Sequence, residues 1–205
     1  MRDVDLAIVG AGPTGLFAAY YAGFRGLSTV VIDALPEPGG QVTAMYPEKM
    51  IFDVAGFPAI RGRDLVTNLV EQAAQFNPGY LLGVRADTID HVDGKPVLGL
   101  SDGTMLRCGS VLITGGLGSF SARPLPCAAG FTGTGVCYFV PHLDDLAGHH
   151  VVIVGGGDSA FDWALALEPL ARSVTLVHRR ERFRAHASTV ARVQALPVRI
   201  VVNAE

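Results

Sequence analysis

Apolar residues along this chain fall into two spacings. Runs of four at 6–9 (LAIV), 29–32 (TVVI), 151–154 (VVIV) and 174–177 (VTLV) carry no charge and read as short strands, the first of them buried. Between them, residues 16–21 and 161–167 repeat their apolar positions at helical spacing. Glycines at 23 and 26 are expected to end the first helix, and Pro169 closes the second. Strand, helix, strand therefore occurs twice. That order predicts an α/β fold with two tandem Rossmann-like units.

Other segments fill in around this repeat. DLVTNLVEQAAQF at 64–76 reads as a packing helix, and 80–107 as a strand meander turning at Asp93-Gly94 and Asp102-Gly103. Residues 36–58 (PEPGGQVTAMYPEKMIFDVAGFP) are dense in Gly, Pro and aromatics and are expected to form an ordered loop without helix or strand. SVLITGGLGSF at 110–120 predicts a buried strand running into a glycine turn, and VRIVV near residue 200 a third strand of the second unit.

Glycines punctuate both repeats at matching places. After the first strand come Gly10-x-Gly12-x-x-Gly15, with Pro13 and Thr14 inside the turn, and Asp33 closes the second strand. This is the dinucleotide fingerprint in its required context. Gly10 permits the tight turn, Gly12 lets backbone approach a pyrophosphate, and Gly15 allows close helix–strand packing. The helix N-terminus offers free N–H groups to phosphate, and Asp33 offers acceptors to ribose hydroxyls. The second repeat carries Gly155-x-Gly157-x-x-Ala160, with Asp158 and Ser159 in the turn. Alanine is an accepted third member of the pattern.

The two copies differ at the tip. Gly10 to Asp33 is 23 residues and Gly155 to His178 is 23, so His178 stands where the first copy has its acid. Arg179, Arg180 and Arg184 follow. A carboxylate repels a 2′-phosphate, whereas guanidinium groups bind one through charge-assisted, often bidentate hydrogen bonds. The first turn is therefore expected to hold a ribose lacking that phosphate, as in FAD or NAD, and the second NADPH. The competing reading, a solvated basic face or nucleic-acid patch, lacks the interleaved aromatics that stack bases. Arg182 is expected to face solvent, and His186 serves equally well as a structural histidine.

Charge distribution sharpens this picture. The 205 residues carry a net −3, but residues 1–170 hold −8 and 171–205 hold +5. Such asymmetry suits an anionic ligand for the C-terminal segment. No stretch approaches the ~18–20 apolar residues of a membrane helix, and the MRDVD start does not suit a secretory signal. Cys108, Cys127 and Cys137 form no C-x-x-C pair, so neither a disulfide framework nor a zinc site is expected. A reducing cytoplasm is the expected setting.

Taken together, GAGPTGLFAAYYAGFRG, PGGQ…YPEK…DVAGFP, TGG.G.F and VIVGGGDSAFDWALALEP…HRR..FRAH resemble the ferredoxin–NADP reductases built on the thioredoxin-reductase fold. The resemblance covers nearly the whole chain. It implies a flavoprotein homodimer with an FAD-binding domain (1–117) and an NADPH-binding domain (118–205), passing a hydride from NADPH to FAD and then single electrons to ferredoxin or flavodoxin. It implies no nucleic-acid or membrane partner. It also implies FAD contacts at Gly12, Pro13, Thr14, Asp33, Gly40, Gln41, Tyr46, Ala86 and Phe120, with Tyr46 against the flavin ring. On the other side it implies pyrophosphate contacts at Gly157, Asp158 and Ser159, and a 2′-phosphate clamp of His178, Arg179, Arg180 and Arg184. Tyr46 and Phe120 also read as packing residues, and Gln41 as a turn cap.

Thioredoxin reductase is the rival. It needs a redox-active cysteine pair, and the corresponding stretch here, GTGVCYFVPH, holds Cys137 alone. The family pattern also continues past residue 205, where it returns to complete the flavin site. The second domain is thus expected to be incomplete, and a non-catalytic nucleotide-binding remnant is the alternative reading.

Overall fold

A computed structural model describes residues 2–118, 124–131 and 135–204. It divides into two compact units, Met1–Pro141 and His142–Glu205. Near the end of the first unit, the Arg63 guanidinium donates to the Pro141 carbonyl at 3.3 Å, and the Leu125 N–H donates to the Tyr138 hydroxyl at 2.9 Å.

The first unit runs β1 (Arg2–Val9), α1 (Pro13–Phe24), β2 (Thr29–Asp33), α2 (Gln41–Met45), β3 (Met50–Ile51), β4 (Ile60–Arg61), α3 (Gly62–Ala74), β5 (Gly79–Leu82), β6 (Ala86–Val92), β7 (Lys95–Leu100) and β8 (Met105–Ile113). Its main sheet has the order β5-β2-β1-β8-β7-β6. The first four strands are parallel and the last two antiparallel. The meander expected over 80–107 is present, with Asp93 at φ 52° and Gly94 at φ 72° making the β6–β7 turn.

Strand alternation sets the core. Ala7, Val30 and Ile32 face a cluster with Leu98, Leu106 and Cys108, while Ile8 and Val31 face α1 and α3 through Ala19 and Ala73. Both faces of β1 and β2 are thus covered, which is why their sequences are apolar without alternation. Truncating fully buried Ile8 to alanine costs about 2–5 kcal/mol on this account.

One sequence expectation holds and two are corrected. α1 ends at Phe24, between the two glycines expected to stop it, and Gly26, at φ 77°, turns the chain away; Phe76 packs where a Gly23 side chain would lie. The 36–58 segment is not wholly irregular: it contains α2 and β3. Val42 of α2 is buried against Leu16 and Val66, and the Thr43 hydroxyl donates to the Pro38 carbonyl at 2.9 Å. Finally, the end of β8 is not buried. Leu112 is 38% and Ile113 74% exposed, because β7 pairs only with residues 105–107 and leaves the C-terminal half of β8 bonded to β1 alone.

The second unit runs β9 (His150–Val154), α4 (Asp158–Leu167), β10 (Ser173–Val177), α5 (Ala187–Gln194) and β11 (Arg199–Val201). Its parallel sheet has the order β11-β10-β9, so the third strand expected near residue 200 is present. Phe161, Ala164 and Leu167 of α4 and Val193 of α5 pack on Val174 and Leu176. The molecule is α/β with two tandem Rossmann-like units. Among the described residues, no helix is long and apolar enough to cross a membrane.

Candidate functional site

The first glycine turn stands at the C-terminal ends of β1, β2 and β8, where ligands of open parallel sheets sit. Gly10 has φ 112°, and a Cβ there would lie 2.5 Å from the Thr114 carbonyl oxygen. A side chain on Gly15 would collide with the Gly10 carbonyl. Thr114 closes this pinch from above: its hydroxyl is 2.9 Å from the Gly10 carbonyl oxygen and 3.1 Å from that of Val9, and donates to them. Its N–H donates to Val9 at 2.7 Å.

Gly12 is different in kind. Its φ of −69° suits any residue, and a Cβ there would meet nothing within 4 Å. Neither backbone conformation nor packing calls for glycine at this place. Close approach of a ligand does, and the free N–H groups at the start of α1, with Pro13 and Thr14, suit a pyrophosphate. The residues present therefore fit the FAD that the sequence implies.

Asp33 ends β2 beside this turn. Its Oδ2 accepts the Ala11 N–H at 2.6 Å and its Oδ1 the Leu35 N–H at 2.8 Å. A carboxylate offers about four lone-pair sites, so acceptor capacity for ribose hydroxyls remains. The Gly39 N–H donates to the Ala11 carbonyl at 2.8 Å, and Gly40 lies so close to Gly12 that a Cβ on it would be 3.1 Å from the Gly12 Cα. A Cβ on Gly116 would meet the Gln41 side-chain amide at 2.7 Å. Residues 10–15, 33, 39–41 and 114–116 thus converge.

The remaining predicted residues of this unit stand further along its walls. Tyr46 caps α2 and packs with Leu16, Val42 and Val66. Ala86 opens β6, two residues after Val84, whose N–H donates to the Asp33 carbonyl at 3.0 Å. Phe120 lies outside the described residues. Sequence reading missed Thr114 and Gly39. Thr114 was detectable as the hydroxyl directly following the strand that neighbours β1.

The second turn repeats the plan. Gly157 caps α4 at φ −100°, and again a Cβ would meet nothing within 4 Å. Ala160 is buried at the third fingerprint position, and Gly155 leaves its Cβ room. Asp158 and Ser159 open α4 and are exposed. His178, at the end of β10, lays its ring against Gly156, where a Cβ would come within 2.5 Å of it. Phe183 supports that ring at a centroid distance of 5.7 Å and meets buried Phe161 edge-on at 4.9 Å.

The chain from 178 to 186 folds back onto the glycine turn. The Arg184 N–H donates to the Gly156 carbonyl at 2.8 Å, and the His186 N–H to Asp158 Oδ1 at 2.8 Å. Arg179, Arg180, Arg182 and Arg184 are all exposed. Within the first unit, ion pairs join Arg61 and Arg63 to Glu48, Arg85 to Asp87, and Arg107 to Asp3. Glu181, the one acid inside the basic run, accepts the Asn203 amide at 3.1 Å. The guanidiniums beside the second turn are open to solvent and within reach of an anion.

Residues 4–203 match the family profile described as pyridine nucleotide-disulphide oxidoreductase. The chain belongs to this family. Within it, the chain is 75% identical over 205 residues to a protein of Salinispora arenicola named ferredoxin–NADP reductase, covering all of this chain and 64% of that one. A protein of the same name from Salinispora tropica is 74% identical over the same coverage. The chain thus spans about two thirds of its relatives' length, at 64%. Among solved structures, the crystal structure of T. acidophilum thioredoxin reductase matches with a TM-score of 0.83 at 25% identity, over all of this chain and 66% of that one. The oxidoreductase resemblance read from the motifs is therefore borne out in both of its parts, relatives of one name on the fold of the other.

Proposed function

We propose that this chain binds FAD at the first glycine turn and NADPH at the second, and that the protein to which it belongs passes a hydride from NADPH to the flavin and single electrons onward to ferredoxin or flavodoxin. The observation that carries the reading is the contrast between the two tips. One turn ends in the carboxylate of Asp33, the other in His178 and three exposed arginines, at equal spacing from their first glycines. The name shared by the most similar relatives supports NADP and ferredoxin as the redox partners.

In this reading Gly12, Pro13 and Thr14 receive the FAD pyrophosphate, Asp33 the adenosine ribose, and Gly40, Gln41, Tyr46, Ala86 and Phe120 the rest of the cofactor. Gly157 and Ser159 receive the NADPH pyrophosphate, and His178, Arg179, Arg180 and Arg184 its 2′-phosphate. Bound flavin supplies the chemistry that accepts an electron pair and releases it singly. The chain's own groups bind and orient, and none is assigned as acid or base. A cytoplasmic homodimer acting away from membranes and nucleic acid completes the proposal.

The test is flavin content and nucleotide preference. The purified chain reconstituted with FAD should retain yellow flavin through gel filtration, and NADPH should bind more tightly than NADH. Replacing Arg179 and Arg180 by alanine should weaken NADPH far more than NADH. Equal affinity for the two nucleotides in the unmodified chain would defeat the assignment.

A further inference from the structure

The opening residue of α4 is an acid at the positive end of a helix, a place where an incoming phosphate would also be drawn. A carboxylate pointed at that ligand would repel it. In this chain the carboxylate is engaged elsewhere. Asp158 Oδ1 accepts the N–H of His186 at 2.8 Å, across 28 residues of sequence. His186 is the N-cap of α5, so Asp158 ties the start of one helix to the start of the next. The bond resembles half of a capping box, in which a carboxylate reaches back to the N-cap N–H, except that the acid comes from a different helix.

The stretch thus anchored is the basic one. Residues 179–186 form neither helix nor strand. Two backbone attachments return them to the glycine turn: Arg184 N–H to the Gly156 carbonyl, and His186 N–H to Asp158. Only Ala185 separates them. At the other end of the stretch the His178 ring abuts Gly156, and midway Phe183 packs edge-on against Phe161. Release of the His186 bond would leave Arg184 held by a single backbone hydrogen bond.

We propose that Asp158 is a positioning residue: it fixes the arginine-bearing loop over the second glycine turn and thereby sets the protein's discrimination for a 2′-phosphorylated adenosine. The inference rests on the reading of this turn as the NADPH site, and it assigns Asp158 a task other than contact with the pyrophosphate. It also reverses a sign. By charge alone, removing a carboxylate beside an anion site strengthens anion binding. By positioning, Asp158→Ala weakens it, while Asp158→Asn, which keeps an acceptor oxygen and sheds the charge, preserves or improves it.

Isothermal titration of the whole chain with adenosine 2′,5′-bisphosphate and with 5′-AMP, at one ionic strength, separates these outcomes. The unmodified chain should prefer the bisphosphate. Asp158→Ala should lose about tenfold in bisphosphate affinity, equivalent to about 1.4 kcal/mol, with AMP changed by less than about twofold. Asp158→Asn should restore the preference. The proposal is overturned if Asp158→Ala keeps or gains bisphosphate affinity, if both ligands weaken together, or if Asp158→Asn falls as far as Asp158→Ala. An unmodified chain with no preference would overturn the NADPH reading beneath it, and the inference with it.

Discussion

The carboxylate of Asp33 accepts the backbone N–H of Ala11 at 2.6 Å, joining the end of one strand to the middle of the glycine turn that follows its neighbour. Because the other oxygen takes the Leu35 N–H, the residue organises the site before any ribose arrives. Asp33→Ala should strand two backbone donors and lower stability by about 2–3 kcal/mol. Asp33→Asn can keep only one of the two bonds and should lose roughly half as much. Urea unfolding of the three proteins measures this; equal stability of all three would mean that the carboxylate acts on ligand alone.

Gly12 and Gly157 make a second, sharper prediction. An alanine at either place meets nothing within 4 Å and requires no unusual φ. Gly12→Ala and Gly157→Ala should therefore fold as well as the unmodified chain, with gains of up to about 1 kcal/mol from a less flexible unfolded state. Gly12→Ala should nonetheless lose FAD, and Gly157→Ala should lose adenine nucleotides. Gly15→Ala should behave otherwise and unfold the first unit, since its Cβ collides with the Gly10 carbonyl. Thermal melts beside flavin retention distinguish the two kinds of glycine, and an unstable Gly12→Ala would refute the distinction.

This contrast measures what the amino-acid order disclosed. Strand, turn, helix and tip were legible because β1 and β2 are covered on both faces and all four strands, β9 and β10 included, sit at fixed offsets from glycines. What was not legible depended on distant partners. Nothing near Gly23 announced that Phe76 would pack where its side chain would lie, and nothing in GGQVTAM announced that Val42 would be buried enough against Leu16 to make a helix turn. Asp158 was legible as part of the fingerprint, but its partner His186 was not, since only folding brings residues 28 apart in sequence to 2.8 Å.

Tyr80 supplies a prediction of opposite sign. Its hydroxyl is buried among the clusters under α1 and α3, and it has no hydrogen-bond partner among the described residues. Burial pushes its phenol above the usual tyrosine range. Tyr80→Phe removes a desolvated polar atom without opening a cavity, so it should be neutral or stabilise by about 1 kcal/mol. Chemical denaturation decides; a loss of more than that would mean that the hydroxyl has a partner.

The three cysteines should react unequally. Cys108 is 1% exposed, its thiol lies 3.6 Å from the Pro96 carbonyl, and burial raises its pKa, which depletes the reactive thiolate near neutral pH. Cys127 and Cys137 are exposed. At pH 8 the folded chain should consume two equivalents of a disulfide reagent quickly and a third only on unfolding. Peptide mapping should place the slow label on Cys108; rapid labelling there would contradict the packing of β8 against β7.

β1 stands between β2 and β8, and Thr114 completes the pinch on Gly10 from a point 104 residues downstream. The two cradles therefore differ in when they can exist. The one on α4 is built within residues 150–203, a short contiguous stretch, whereas the one on α1 has its keystone far along the nascent polypeptide. A ribosome must deliver Thr114 before the N-terminal cradle can close, and the loop-closure entropy of that long excursion falls on the flavin side alone. The first cradle thus cannot close on its own glycine turn and waits about a hundred residues for Thr114, although it is still complete before residue 150 of the second is made.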